Sequence, residues 1–245
     1  MIRKMKTQKI LLAAALFGSL TMCLTSCFEN QDPGPIQEQE KEYSILDFDR
    51  LEIGDALNVT VTQGPMYSVK VKGDRRNIDD LEVKTIGTTL RMRFDNDRRG
   101  DNRQYTTYVT ITMPALNGAL FSGAVTSKIS GFVSDGSFDL TLSGASTSQT
   151  DINASSVKLN LSGASELNLA GASTTLEAVV SGASELRGFD MEAVNATVEA
   201  SGASKIRVLA TQNLNATASG ASDIRYRGNP VLNSNSSGAS TIGAD

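Results

Sequence analysis

The chain has no histidine and no tryptophan, only two cysteines in 245 residues, and 5% aromatics. Without imidazole, the Ser-His-Asp and Cys-His triads, histidine general bases and histidine-ligated zinc or iron sites cannot be built from this chain alone. Few aromatics means few platforms on which bases stack. With 27 acidic against 23 basic residues, a net charge of -4, there is no cationic footprint for phosphates either, so nucleic acid is not an expected partner. Nothing in the sequence points to a cofactor or a metal, and no catalytic residue is assigned.

Residues 1–26 read as a lipoprotein signal peptide. Arg3, Lys4, Lys6 and Lys9 form a basic start, and Ile10 to Leu24 is an apolar stretch of 15 residues, short for a membrane span. It ends in Leu24-Thr25-Ser26-Cys27, an aliphatic residue and two small ones before a cysteine, which resembles a bacterial lipobox. Cys27 is therefore the expected lipidation site, and the lipid is the expected membrane attachment. Cleavage would remove Cys23, leave one cysteine and exclude a disulfide framework. It would also remove four basic residues and no acidic one, leaving 19 basic against 27 acidic, a net of -8.

Residues 27–42, after the lipidated cysteine, carry Pro33, Pro35, Gly34 and a cluster of acids, a composition that cannot bury a core, so a solvated acidic tether is expected there. Such acidity resembles the surface-export signals of Bacteroidetes lipoproteins, which makes this an expected outer-membrane lipoprotein at the cell surface, with the periplasmic face of that membrane as the alternative. The folded body is expected over 43–245. It opens with strict alternation, as in Leu57-Asn58-Val59-Thr60-Val61 and Val69-Lys70-Val71-Lys72, which predicts strands. Further strands are expected at Leu81 to Thr85, Thr89 to Phe94 and Tyr105 to Met113, with a helical turn only near Asn77 to Leu81.

The C-terminal half repeats. Ser-Gly-Ala recurs at Ser122, Ser143, Ser162, Ser181, Ser201, Ser219 and Ser237, at spacings of 21, 19, 19, 20, 18 and 18 residues. A period that drifts slightly while keeping its anchor marks the coils of a solenoid, with extra residues absorbed in loops. Alternate apolar residues precede each anchor, as in Val157, Leu159 and Leu161, and one aliphatic residue follows at a fixed offset: Leu167, Leu186, Ile206, Ile224 and Ile242. The pattern predicts an all-β fold, a right-handed parallel β-helix of roughly 19-residue coils with SGAS coils from residue 116. Glycine is expected at a corner needing positive φ, and the serines as hydrogen-bonding groups along the stack. That makes SGAS a structural motif, not a nucleophile.

The run YSILDFDRLEIGDALNVTVTQGPMYSVKVKGDRRNIDDLEVKTIGTTLRMRF, then YVTITMPALNGALFSGA and the SGAS coils, resembles the putative autotransporter adhesin, head GIN domain family of Bacteroidetes lipoproteins. The likeness spans about Tyr43 to Asp245. It implies a β-helical adhesin-like protein, and it brings no ligand and no catalytic residues to carry over.

Other motifs fail on their own chemistry. Asp95-Asn96-Asp97-Arg98-Arg99-Gly100 imitates a calcium loop, but Arg99 stands at a ligand position and Thr106 replaces the closing glutamate. Ser155-Ser156-Val157-Lys158 matches SxxK without its companion motifs.

Beside the aliphatic ladder two outward columns are expected, Glu166, Glu185, Lys205, Asp223 and Asn168, Arg187, Arg207, Arg225. Stacked arginines one coil apart form a candidate ligand-binding strip, Arg187, Arg207 and Arg225, for acidic glycans or a host or matrix surface. A solvated face of compensating charges is the plainer reading of the same columns. Three classes of function follow: a non-enzymatic, lipid-anchored binding module, a polysaccharide-active β-helix enzyme, and a structural envelope protein without a soluble ligand. The first fits the sequence best, and the oligomeric state is not set by it.

Overall fold

Alternation along the chain becomes alternation between core and solvent, and the strands it makes stack into coils. The computed structural model describes residues 34–95 and 103–245, so Cys27, the leader and most of the calcium-loop imitation lie outside the described residues. In chain order the elements are β1 (Glu38–Tyr43), β2 (Arg50–Ile53), β3 (Leu57–Gln63), β4 (Ser68–Asp74), the short helix α1 (Arg75–Asp80), β5 (Leu81–Ile86), β6 (Thr89–Phe94), β7 (Thr107–Met113) and β8 (Gly118–Phe121). Long strands then each make most of a coil: β9 (Thr126–Leu142), β10 (Thr147–Leu161), β11 (Glu166–Val180), β12 (Glu185–Ala200) and β13 (Lys205–Ala218). The described chain closes with β14 (Asp223–Arg227), β15 (Val231–Ser236) and β16 (Thr241–Ala244).

Two parallel sheets run along the stack. One takes β6, β2, β8, the second halves of β9 to β13, and β15. The other takes β7, β3, the first halves of β9 to β13, then β14 and β16. The aliphatic ladder lies between them: Leu167, Leu186, Ile206 and Ile224 are register partners and fully buried, with Ile242 partly buried at the last rung. One and two coils earlier the same position holds Ser148 and Ser127. These buried hydroxyls satisfy each other, Ser127 Oγ donating to Ser148 Oγ at 2.8 Å, with Thr150 Oγ1 3.0 Å from Ser148 Oγ.

The corner between the sheets is the Ser-Gly-Ala turn. Its seven glycines, from Gly123 to Gly238, have φ between 74° and 81°. A Cβ on Gly182 would stand 2.5 Å from the Gly163 carbonyl oxygen of the coil below. From Ala145 on, each following alanine donates its N–H to the preceding coil's glycine carbonyl, as Ala183 to Gly163 at 2.8 Å, while Ala124 donates to the Asp55 carbonyl. The last serine of the motif points inward. Ser165 and Ser222 are buried and donate to the carbonyls of Ser162 and Ser219 at 2.8 and 2.9 Å.

Coils do not stack in sequence order at the N-terminal end. The β6–β7 coil lies against one side of the β2–β3 coil and the β8–β9 coil against the other, so the earliest coil is the second in the stack. Antiparallel strands close that end, β5 on β6, β4 on β7 and β1 on β4. Here the expected tether is corrected: Glu38 to Glu42 belong to β1. A polar strand with little side-chain burial is stable at a sheet edge because pairing satisfies its backbone, and the composition argument for a solvated tether did not count that contribution. The expected turn near Asn77 is α1. Its N-cap Asp74 accepts from the N–H groups of Arg76 and Gln37, both at 2.9 Å, and from the Arg76 guanidinium at 2.7 Å.

Three outcomes follow. Gly182→Ala forces a side chain into positive φ and against a carbonyl, and should lower stability by at least about 1 kcal/mol in chemical denaturation. Ile206→Asp puts a charge in the ladder at a cost on the order of 3–5 kcal/mol. Hydrogen exchange should then show protection lost first over 205–244, while the antiparallel end keeps its own. Asp74, whose hydrogen bonds from Arg76 above all hold its carboxyl far below the ordinary 3.8, carries the third. A carboxyl with a depressed folded pKa stabilises fully above its unfolded value and loses that stabilisation as pH falls through the folded one. Denaturation midpoints of the wild type and Asp74→Ala should differ at neutral pH and converge as pH drops below about 4.

Candidate functional site

Two residues past each corner serine the chain lies on a strand with its side chain inward, so its two sequence neighbours must point outward. Register then aligns these outward positions from coil to coil. Asn168, Arg187, Arg207 and Arg225 are successive partners, as are Glu166, Glu185, Lys205 and Asp223. Rungs of hydrogen-bonded strands are roughly 4.8 Å apart, so the three arginines are neighbours.

Their guanidinium groups are engaged. Arg187 donates to Glu166 and, from Nη2, to Glu185 Oε2 at 2.8 Å, while Arg207 donates from Nη1 to the other oxygen of Glu185. Arg225 Nε donates to Asp223 Oδ1 at 3.1 Å, and Thr241 donates to the same carboxylate. Burial works against the charge on Glu185, but the Arg187 and Arg207 hydrogen bonds outweigh it and hold the carboxyl below its usual range. The hydrogen bond from Thr241, helped by Arg225, lowers Asp223 as well. Glu185 in turn raises Arg187. Carboxyls held in this state accept hydrogen bonds and are poor proton donors at neutral pH.

Arg187 and Arg207 line a groove of about 920 Å³ whose lining reaches from the β9 coil to Asp245, beyond β16. One side is a column of outward side chains, Lys128, Gln149, Asn168, Arg187 and Arg207, each the register partner of the next. The other side carries Ser130, Asp151 and Ala170, two residues further along each strand, and then Phe189 and Asp190. Arg225 does not line the groove. Arg227 does: its guanidinium lies 4.0 Å from the Phe189 ring centroid and bonds Asp245 Oδ2 at 2.9 and 2.6 Å.

The repeat pattern missed this second side. Phe189 and Asp190 sit where the β12–β13 register jumps from Gly188 opposite Val208 to Glu192 opposite Leu209, so β12 bulges outward. The 20-residue spacing from Ser181 to Ser201, two longer than the next interval, was the available signal. Lys128 and Gln149 were missed because their coils carry serine instead of an aliphatic residue at the ladder position.

Residues 47–230 match the family described as "Putative auto-transporter adhesin, head GIN domain". The chain matches no curated protein. Among solved structures it is similar to a "putative adhesin" from Bacteroides fragilis, with TM-score 0.79 and 20% identity over 85% of this chain and 97% of that one. It is also similar to a "putative lipid binding protein" from Parabacteroides distasonis, with TM-score 0.68 and 18% identity over 85% and 96%. A "putative adhesin" from Parabacteroides merdae gives TM-score 0.68 and 17% identity over the same shares. At these identities the likeness is one of fold, and it agrees with the coils described above. Matched by the family over most of its length, the chain belongs to the head GIN domain family of auto-transporter-adhesin-like proteins.

Proposed function

We propose that this protein is a non-enzymatic binding module of the bacterial cell envelope, adhesin-like, anchored in the outer membrane through a lipid on Cys27 and displayed at the cell surface. The observation that carries the reading is the groove of about 920 Å³ lined by one polar side chain per coil over five coils. A rigid row of evenly spaced donors suits an extended, repetitive ligand, because each rung repeats the contact of the last and weak contacts add along the line. Family membership and the fold shared with proteins described as putative adhesins support the same class. The lowered carboxyls favour binding over catalysis, since glycoside hydrolysis asks for one carboxyl held protonated.

The ligand-binding strip is Arg187 and Arg207 in the groove, continued beyond it by Arg225, and its preference is for glycans that carry acidic groups. Guanidinium forks pair with carboxylates or sulfates. The carboxylates already bound to these arginines compete, so affinity should be weak and salt-sensitive.

Three outcomes test the reading. Cells fed a fatty-acid analogue should label the wild type and not Cys27→Ala, and labelling of neither would remove the anchor. The triple Arg→Ala variant at 187, 207 and 225, checked for an unchanged melting profile, should bind acidic glycans about tenfold more weakly than the wild type. Equal binding by both would take the strip away. Glu185→Gln should cost less than about 1 kcal/mol of stability and tighten acidic-glycan binding, because it releases Arg187 and Arg207 from a competing carboxylate.

A further inference from the structure

The sheet that carries the arginine column continues through β9, β3 and β7 to the antiparallel strands, and its outward face changes character on the way. On β7 the outward side chains are Tyr108, Thr110 and Thr112, and on β3 they are Asn58, Thr60 and Thr62. Register pairs Tyr108 with Asn58, Thr110 with Thr60 and Thr112 with Thr62. All six are uncharged. Followed along the stack, the rows of Asn58 and Thr60 become Glu185 and Arg187, Lys205 and Arg207, then Asp223 and Arg225. On the other border, the lysines of β4 face carboxylates of β1: Lys72 Nζ lies 3.9 Å from Glu38, and Lys70 is the register partner of Glu42.

Tyr108, 52% exposed, is the one exposed aromatic residue among the described residues. Lys41 lies over Tyr43, Arg227 over Phe189, and Phe48 against Tyr67, but neither a cation nor a ring among the described residues lies over Tyr108. Its neighbours Asn58 and Thr110 are short, which leaves the ring open. A tyrosine ring offers a rigid apolar face at low entropic cost. Amide and hydroxyl groups beside it both donate and accept hydrogen bonds. A pyranose has the matching halves, C–H groups on the face of its ring and hydroxyls around the rim, whereas an ionised group would find no opposite charge on β3 or β7. The field is also continuous with the groove, since Thr60 is the register partner of Lys128, the first member of the groove's column.

Resting on the binding-module reading above, we infer that Tyr108 is the stacking platform of a second sugar site, one for a neutral pyranose, with Asn58, Thr60 and Thr110 hydrogen-bonding to its hydroxyls. This site lies outside the arginine strip and needs none of its three guanidinium groups.

The test titrates the full-length protein with a neutral β-linked glucan hexasaccharide, read by calorimetry and by the tyrosine ultraviolet difference spectrum, which no tryptophan obscures. Tyr108→Ala should weaken glucan binding about tenfold and abolish the spectral change. Tyr108→Phe keeps the ring and should bind within about twofold of the wild type, again without the spectral change. Thr60→Val with Thr110→Val should weaken binding about fivefold through lost hydrogen bonds. The triple Arg→Ala variant at 187, 207 and 225 should bind the glucan as the wild type does. Each variant is first shown to keep the wild-type melting profile. Glucan binding unmoved by Tyr108→Ala, or as weak in Tyr108→Phe as in Tyr108→Ala, overturns the inference while the binding-module reading stands. So does an absence of glucan binding when a polygalacturonate hexasaccharide still binds through the arginines. Binding of neither glycan overturns both.

Discussion

A carbonyl oxygen occupies, at every Ser-Gly-Ala corner, the space a side chain would need. Coils can close to strand spacing only if each turn is thin, and the turn is thin because the residue in positive φ carries no Cβ. From that contact follow the rest of the dimensions: the alanine N–H reaches the glycine carbonyl below, the flanking strands fall into register, and the aliphatic ladder comes together. The inward serine of the motif completes the corner by bonding a carbonyl that would otherwise be stranded beside the core.

Stacking identical coils carries an electrostatic penalty, since equal positions become neighbours and like charges repeat at the rung spacing. Here the columns offset it crosswise. Arg187 spans Glu166 and Glu185, Arg207 takes the second oxygen of Glu185, and Lys158 pairs with Glu177 on the other sheet at 3.2 Å. The groove is where this compensation is uneven, with neutral amides set between cationic ends.

Much of the solenoid was legible because its period is written in residues that have only one structural use. Glycine at a fixed interval and one aliphatic residue at a fixed offset specify a corner and a ladder, and Leu186 and Ile206 sit where that rule places them. The first corner was not legible because it uses Asp55 instead of glycine. Asp55 holds φ at 66° and its side chain accepts the Phe94 N–H at 2.6 Å, a bond to the out-of-order coil that no local pattern announces. The stacking of β6 and β7 outside β2 and β3 was hidden for the same reason, since periodicity records neighbours in sequence and this coil's neighbour is not one. At the site, the arginine neighbours could be read from register, but Arg227 reaches Phe189 across an insertion, and an insertion breaks the very periodicity by which positions are compared.

The displaced coil gives the protein a direction of assembly. Leu51 and Val59 have a neighbour on one side only after residues 89–113 exist and on the other only after residues 118–130 do. A chain emerging from its N-terminus therefore cannot finish pairing its first coil until Ser130 has appeared, and the long-range closure that this requires is the slow step expected of the topology. Once formed, that closed end is a ready-made template, and every later coil adds beside the one just completed, at the local cost of a single corner.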